Sequence, residues 1–388
     1  MKISTDRILT THVGSLPRPD DLFELMSARM DGKPVDEKVY SERVRKAVAD
    51  SVREQVEVGL DVVNDGEMGK PSFITYAAGR LDGLEKREGS RPSPFANSRE
   101  TKAFPEYYQS AMAEQVSARR KRALMVCTGP IRYKGQAQLK AELDALKSAL
   151  SQVNAAEAFV PAIAPSNIET TTPNEHYPNA EAYVFAIAEA MREEYKAIVD
   201  AGFLLQVDDP FLVTYYIMRP ELSIAECRKW AELRVEALNA ALAGIPQDRI
   251  RFHTCYSVNM GPRVHDMQLK DIIDVILKVR AGAYSFEASN PRHEHEWEDW
   301  KRVKMPDDKV LIPGVITQST VLVEHPELVA QRIGRFAEVV GRERVIAGAD
   351  CGFASFAGSN EVHPSIVWAK LKALVDGSRL ASAKLWSR

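Results

Sequence analysis

Short β-rich apolar runs alternate with longer helical patterns across 388 residues, which predicts an α/β fold of βα units around a parallel sheet. Polar and metal-liking residues collect at the C-terminal end of strand after strand, the face on which barrel enzymes build their sites. The length fits two small domains or one large barrel with insertions, and no long linker or solenoid-period repeat divides the chain. The expected architecture is one (β/α)8 TIM barrel over residues 1–388, with an excursion inserted after strand two.

Candidate strands are Thr11–Ser15, Asp61–Asp65, Ala123–Thr128, Ala158–Ala164, Phe203–Asp208, Ile250–Tyr256, Ala283–Ser289, Val310–Thr317 and Arg344–Asp350. Nine is one more than the barrel uses. Ala123–Thr128 is set aside, because it follows a polar stretch without a clear helical unit before it. Helical patterns cover Tyr40–Val58, Asn179–Ala201, Ile224–Ala243, Leu269–Ala281 and Glu327–Val340. Asn179–Ala201 starts on a small polar residue, repeats apolar residues at helical spacing and meets Gly202 just past its end. Residues 85–120, rich in Lys, Arg, Ser, Pro and Glu, read as the excursion, either a lid or a mobile surface loop.

Composition excludes several functions. With 51 Lys plus Arg against 54 Asp plus Glu, the net charge of −3 argues against nucleic-acid or membrane-surface partners. Hydrophobic residues at 45% and charged residues at 27% exclude disorder as the main state. No stretch approaches the roughly 20 apolar residues of a membrane helix, and MKISTDRILTTHVGS has no apolar run suited to a signal peptide, so a cytoplasmic protein is expected. Four cysteines (Cys127, Cys227, Cys255 and Cys351) are too few for a disulfide scaffold, and read as buried hydrophobes, metal ligands or nucleophiles.

The strand ends carry the chemistry. The first ends in His12, Gly14 and Ser15, and the second in Asn64, Asp65 and Glu67; Phe203–Asp208 ends in Asp208 and Asp209. His253 and Cys255 in FHTCYS stand two apart and so share one face of a strand. An HxC pair alone also reads as a core histidine beside a buried cysteine. Cys351 in GADCG and Glu287 in SFEAS complete one imidazole, two thiolates and one carboxylate on three strand ends, which favours zinc. Zinc hydrolases usually use nitrogen and oxygen ligands, whereas two thiolates make a poorer Lewis acid and a good partner for another sulfur. Zinc, two thiolates and a glutamate sum to −1, and exchanging the glutamate for a substrate thiolate keeps that total. The ligand set therefore suits alkyl transfer to a metal-bound thiol, held deprotonated near neutral pH.

THVGSLPRP, VVNDGE, LQVDDP, HTCYS, SFEAS and GADCG occur in the order seen in the catalytic barrel of cobalamin-independent methionine synthase. The chain resembles that family through nearly its whole length, and especially its short single-barrel members, which include the epoxyalkane:coenzyme M transferases. The resemblance implies His253, Cys255, Glu287 and Cys351 as zinc ligands, with Glu287 the one displaced by the thiol. It places Ser15, Glu67 and Asp208 around the amino-acid part of homocysteine. An α-ammonium needs carboxylates, and backbone N–H groups near Gly14 and Ser15 can hold a carboxylate. Ser15 also reads as a turn residue and Glu67 as a partner of Lys70, while Asp209 reads as an orienting neighbour. The implied activity is 5-methyltetrahydropteroyltriglutamate–homocysteine methyl transfer in methionine biosynthesis, using Zn2+ and no cobalamin.

Two departures bear on the donor. The family's histidine after the seventh barrel strand is replaced by Gln318 in PGVITQST, and the tryptophan that stacks on folate has no counterpart in PAIAPSNIET. Glutamine cannot supply a proton to a leaving folate nitrogen; His265, His293, His295 and Tyr133 are the other acids in reach of the pattern. A second reading is alkyl transfer to another thiol, such as coenzyme M opening an epoxide, with Arg18, Arg132 and Lys134 for its sulfonate. A third is a barrel with structural zinc, decarboxylase-like or a binding protein. His12 reads as a site or core residue, and HEHEW (His293–Trp297) as a metal tract or, in preference, a solvated turn. Cys127 and Cys227 read as structural, the TYYIM tyrosines as wall residues, and Trp297 and Trp300 as packing.

Overall fold

The computed structural model describes residues 1–90, 93–110, 123–256, 261–358 and 362–387. Its strands are β1 (Leu9–Thr10), β2 (Val62–Val63), β3 (Leu81–Ser90), β4 (Ala123–Tyr133), β5 (Glu157–Ile163), β6 (Leu204–Asp208), β7 (Ile250–Thr254), β8 (Ala283–Phe286), β9 (Val310–Ile316) and β10 (Ile346–Ala349). Eight of them form one sheet in the order β1-β10-β9-β8-β7-β6-β5-β2, and every ladder in it is parallel. The ends of that order meet through single bonds: Asp61 N donates to Thr10 O at 3.1 Å and Thr11 Oγ1 to Val62 O at 3.0 Å. The Asp61 carboxylate tightens this seam by accepting Thr10 N–H at 2.8 Å and both guanidinium arms of Arg7 at 2.8 and 2.6 Å. The result is a (β/α)8 barrel.

Helix ends follow local chemistry. Asp36 caps Glu37–Val58 by accepting the N–H groups of Lys38 and Val39, and Gly59 closes it at φ 103°. Asn179 caps Ala180–Asp200, and Ser223 with Glu226 forms a capping box on Ile224–Ala241. Leu269–Ala281 does not form the expected helix. A 3-10 turn at Leu269–Asp271 and a short helix at Ile273–Ile276 replace it, and beyond Leu277 the backbone carbonyls bond to side chains instead, Lys278 O accepting from Asn239 Nδ2 and Val279 O from the Tyr284 hydroxyl, both at 2.9 Å.

Between the second and third barrel strands, β3 and β4 pair antiparallel as a two-stranded ribbon outside the barrel sheet. Ala123–Thr128, set aside from the barrel wall, is the start of β4, while the charged β3 run LDGLEKREGS carries no apolar periodicity that announces a strand. The expected excursion, 85–120, runs from within β3 through the helices Arg99–Ala103 and Pro105–Tyr108; its residues 91–92 and 111–120 lie outside the described residues. β1 is shorter than its sequence run for a physical reason. Past Thr11 the backbone carbonyls pair with side chains rather than a ladder, Val13 O with Gln206 Nε2 and His12 O with Arg251 Nη2. No helix among the described residues is long and apolar enough to cross a membrane.

Candidate metal and thiol site

Strand alternation aims a polar row into the barrel. Register pairs Asp208 on β6 with His253 on β7, and His253 with Ser285 on β8. His253, Cys255 and Cys351 are all buried, and each offers a ligand atom within 4.8 Å of the others. The two sulfurs lie 3.2 Å apart. Ser285 Oγ sits 3.0 Å from His253 Nδ1, leaving Nε2 buried without a partner. Burial, then the charge of Arg251, pushes the imidazole down to about 3, so the ring is neutral and can ligate. Two close sulfurs and an orphaned imidazole nitrogen fit a tetrahedral, borderline-soft cation such as zinc. Glu287 does not join the group of three. Its Oε2 accepts Tyr256 N–H at 2.8 Å and Arg263 Nη2 at 3.2 Å, while Oε1 is buried with no partner.

The cluster opens onto a cavity also lined by Ser15, Glu67, Phe73, Asp208, Pro210 and Ser355. Gly14 is next to this wall but not part of the lining. Glu67 sits in the left-handed region at φ 56°, just after Gly66 at φ 66°. Side-chain caps hold that turn: Asn64 Oδ1 accepts Gly66 N–H and Asp65 Oδ1 accepts Glu67 N–H, both at 2.9 Å. A non-glycine residue there is strained, and such strain gathers at functional sites. Lys70 Nζ lies 3.4 Å from Glu67 Oε1, so the structural pairing and the place at the cavity coexist. Burial, followed by the nearby Glu67 charge, holds the Asp208 carboxyl well above the usual range, against a 2.8 Å hydrogen bond from Gln206 Nε2. Asp209 turns away. Its carboxylate accepts Ser166 Oγ at 2.7 Å, Asn167 Nδ2 at 3.0 Å and Leu212 N–H at 3.1 Å, which orders the loop, and burial raises it to about 6.

Several sequence candidates lie elsewhere. His12 Nε2 meets Gln55 Oε1 at 2.9 Å, making it a core histidine. Arg18 is buried and clamps Ala354 O, Glu67 O and Lys70 O at 2.9, 2.8 and 2.7 Å. Arg132 and Lys134 are exposed at the end of β4 and just beyond, and Lys134 pairs with Asp82 at 2.9 Å. Tyr133 donates to the buried Glu194, and His295 is exposed. His265 Nδ1 faces Glu100 at 3.6 Å. Gln318 is buried with neither amide atom partnered. Tyr215 stacks on Trp230 at 3.7 Å, while Trp300 packs on Phe286 at 4.7 Å. Cys127 and Cys227 are buried outside the cluster.

The solvated-turn reading of HEHEW fails at His293. That ring is buried between Asp266 Oδ2 (3.2 Å) and Glu296 Oε2 (2.9 Å), and stacks on Tyr256 at 4.0 Å. Burial pulls its pKa down, but the two carboxylates outweigh this and hold it at about 9. Sequence reasoning missed this network and Arg263, which meets Asp266 three residues on but also Glu287 and His293, 24 and 30 residues away, with no periodic pattern linking them. It also passed over Gln206 and Arg251. Polar residues two before Asp208 and His253 on otherwise apolar strands are the signal that finds them.

These features define a parallel barrel with a cysteine- and imidazole-lined site at the C-terminal ends of its strands. Residues 8–97 and 140–375 match the family model "Cobalamin-independent synthase, Catalytic domain". The chain belongs to that family. Similar curated proteins include a methionine synthase of Thermococcus kodakarensis, 26% identical over 88% of this chain and 86% of the relative. Another, from Saccharolobus solfataricus, is 25% identical over 97% of this chain and 95% of the relative. Among solved structures, a B12-independent methionine synthase from a Shewanella species, in complex with selenomethionine, shares the fold at TM-score 0.72. It is 18% identical and covers 98% of this chain and 99% of that one.

Proposed function

We propose that this chain is a zinc-dependent S-methyltransferase that methylates homocysteine. One observation carries the reading: His253, Cys255 and Cys351 share a single cavity with Ser15, Glu67 and Asp208, so soft metal ligands and amine-binding carboxylates face one small space. The methionine synthases among the relatives support the same substrate. His253, Cys255 and Cys351 would hold the zinc, with Glu287 as the fourth, exchangeable ligand. When bound, the metal lowers the pKa of a thiol so that it is nucleophilic at neutral pH. Asp208 and Glu67 would receive the α-ammonium, and Ser15 with the backbone beside Gly14 the carboxylate. Phe73 and Pro210 narrow the cavity and limit water near the nucleophile.

A sulfonate thiol such as coenzyme M fits less well. Arg18 is committed to three carbonyls and the Arg132–Lys134 pair stands on the ribbon, while the cavity presents two carboxylates. Gln318 cannot protonate the leaving nitrogen of a methylated folate, which favours a donor that is already cationic. Of the expected excursion, the described residues 93–110 are the part we assign as a lid over this face, since Arg99 bonds Tyr216 O and Leu222 O and Glu100 accepts the N–H groups of Val264 and His265. The test is calorimetric titration of zinc-loaded protein with homocysteine and coenzyme M, recording proton release. Homocysteine binding with release of about one proton per site supports the reading. Preference for coenzyme M moves it to epoxide opening, and no thiol response leaves the metal structural.

A further inference from the structure

We propose that Arg263 is an off-metal resting place for the Glu287 carboxylate, and that this pairing decides how easily a thiol takes the fourth position. The inference rests on the zinc reading above. Glu287 stands outside the three-ligand group with Oε2 engaged by Tyr256 N–H and Arg263 Nη2, two donors fixed by the protein itself. Arg263 is locked from behind. Its Nε meets Asp266 Oδ2 at 3.2 Å, Asp266 meets His293 Nε2 at 3.2 Å, and Glu296, on the far side of that ring, accepts Leu269 N–H at 2.9 Å. Tyr256, whose N–H is the other donor, is stacked face to face on His293 at 4.0 Å and 6°. Both donors to Glu287 therefore belong to one buried, charge-paired unit.

A carboxylate leaving a metal in a buried site needs a new partner, because an unpaired buried charge is costly. Arg263 supplies that partner, and the unpaired Oε1 leaves Glu287 able to return. Ligand exchange becomes a choice between two prepared positions for one side chain. A ligand without the off-metal position would cling to the cation, and an incoming thiolate would compete against it directly.

The experiment compares wild type, Arg263→Met and Arg263→Lys for zinc affinity by chelator competition, for homocysteine affinity by calorimetry, and for cobalt-substituted absorption, which counts sulfur ligands. Losing a charge-assisted hydrogen bond of this kind corresponds to a factor of roughly ten or more. Arg263→Met is expected to hold zinc about tenfold tighter and bind homocysteine at least tenfold more weakly, with fewer cobalt sites gaining a third sulfur at a given thiol concentration. Arg263→Lys, which keeps the charge, should recover part of both effects. In a Glu287→Gln background the Arg263→Met change should move neither affinity. Zinc and thiol affinities falling together, or an undiminished Arg263→Met effect in the Glu287→Gln background, overturns the proposal while leaving the zinc reading intact. A wild-type protein that binds no zinc, or binds zinc and takes up no thiol, overturns both.

Discussion

Asp208→Asn tests the amine-binding role proposed for this side of the site. Among the described residues no cation forms an ion pair with Asp208, although the Lys70 and Arg251 charges pull its carboxyl down; Gln206 Nε2 donates to one oxygen at 2.8 Å, and burial, then the Glu67 charge, keeps the carboxyl above its usual range. A substrate ammonium placed there would give the carboxylate a positive charge in direct contact. Asn keeps the shape and can still accept from Gln206, so the change removes charge and little else. A hydrogen bond to a charged group contributes about 1.5–3 kcal/mol, which converts to a roughly ten- to hundredfold loss of homocysteine affinity. The assay is calorimetry on zinc-loaded protein with homocysteine and with 4-mercaptobutanoate, which lacks the amine. Wild type should prefer homocysteine, and Asp208→Asn should erase most of that preference while zinc content and 4-mercaptobutanoate affinity hold. Equal weakening of both thiols, or no change for either, would refute the role of Asp208.

Cys255→Ser or Cys351→Ser should lose bound zinc, read by metal analysis after gel filtration, since each removes a soft ligand from a three-residue cluster. Stripping the metal and adding the thiol oxidant diamide should join Cys255 to Cys351, whose sulfurs lie 3.2 Å apart, leaving two of four thiols titratable; zinc should protect all four. Folding stability should fall in alkali. His293 is raised from 6.5 to about 9, so its contribution is complete below about pH 6.5 and is lost as pH rises through about 9, amounting to roughly 3 kcal/mol. Urea midpoints at the two ends of that window should separate for wild type and converge for His293→Gln. Gly352→Ala should weaken thiol binding, because its added Cβ would collide with Ser15 Oγ at the cavity wall; unchanged calorimetry would contradict that geometry.

The barrel was legible because eight strands in parallel register need near-continuous apolar runs, and those runs are visible from VVN to VIAGAD. His253, Cys255 and Cys351 were legible for a related reason. Strand ends of a barrel converge whatever their separation in sequence, so residues 96 apart in the chain can share a cavity. Asp208 was marked by its place at the end of an apolar strand. What resisted reading was set by loops and by length. Among the described residues β3 pairs with β4 alone, and its consecutive residues Glu85–Gly89 are exposed on both faces, so its sequence looks like any charged loop. His293 looks solvated in HEHEW because Asp266 and Tyr256, which bury it, come from a different βα loop. Glu287 was assigned by its strand end, yet it stands apart from the His253, Cys255 and Cys351 group with Oε2 held by Tyr256 N–H and by Arg263, a residue no strand positions.

Register also constrains what can bind. Asp208 and His253 are direct partners across β6 and β7, one inter-strand step of about 4.8 Å. The carboxylate proposed to receive the amine and the imidazole proposed to hold the metal thus stand on neighbouring strands, side by side on the same inward face. A substrate joining them must carry its ammonium and its sulfur a few bonds apart on one short, flexible chain. A long thiol would have to fold back on itself, and Phe73 and Pro210 occupy the wall where it would do so. A thiol bearing a sulfonate in place of the ammonium would meet Asp208 and Glu67 with like charge. Size and charge thus act together: the same two strands that set the distance also set the sign, and under the proposed roles a small amino thiol satisfies both while coenzyme M satisfies one.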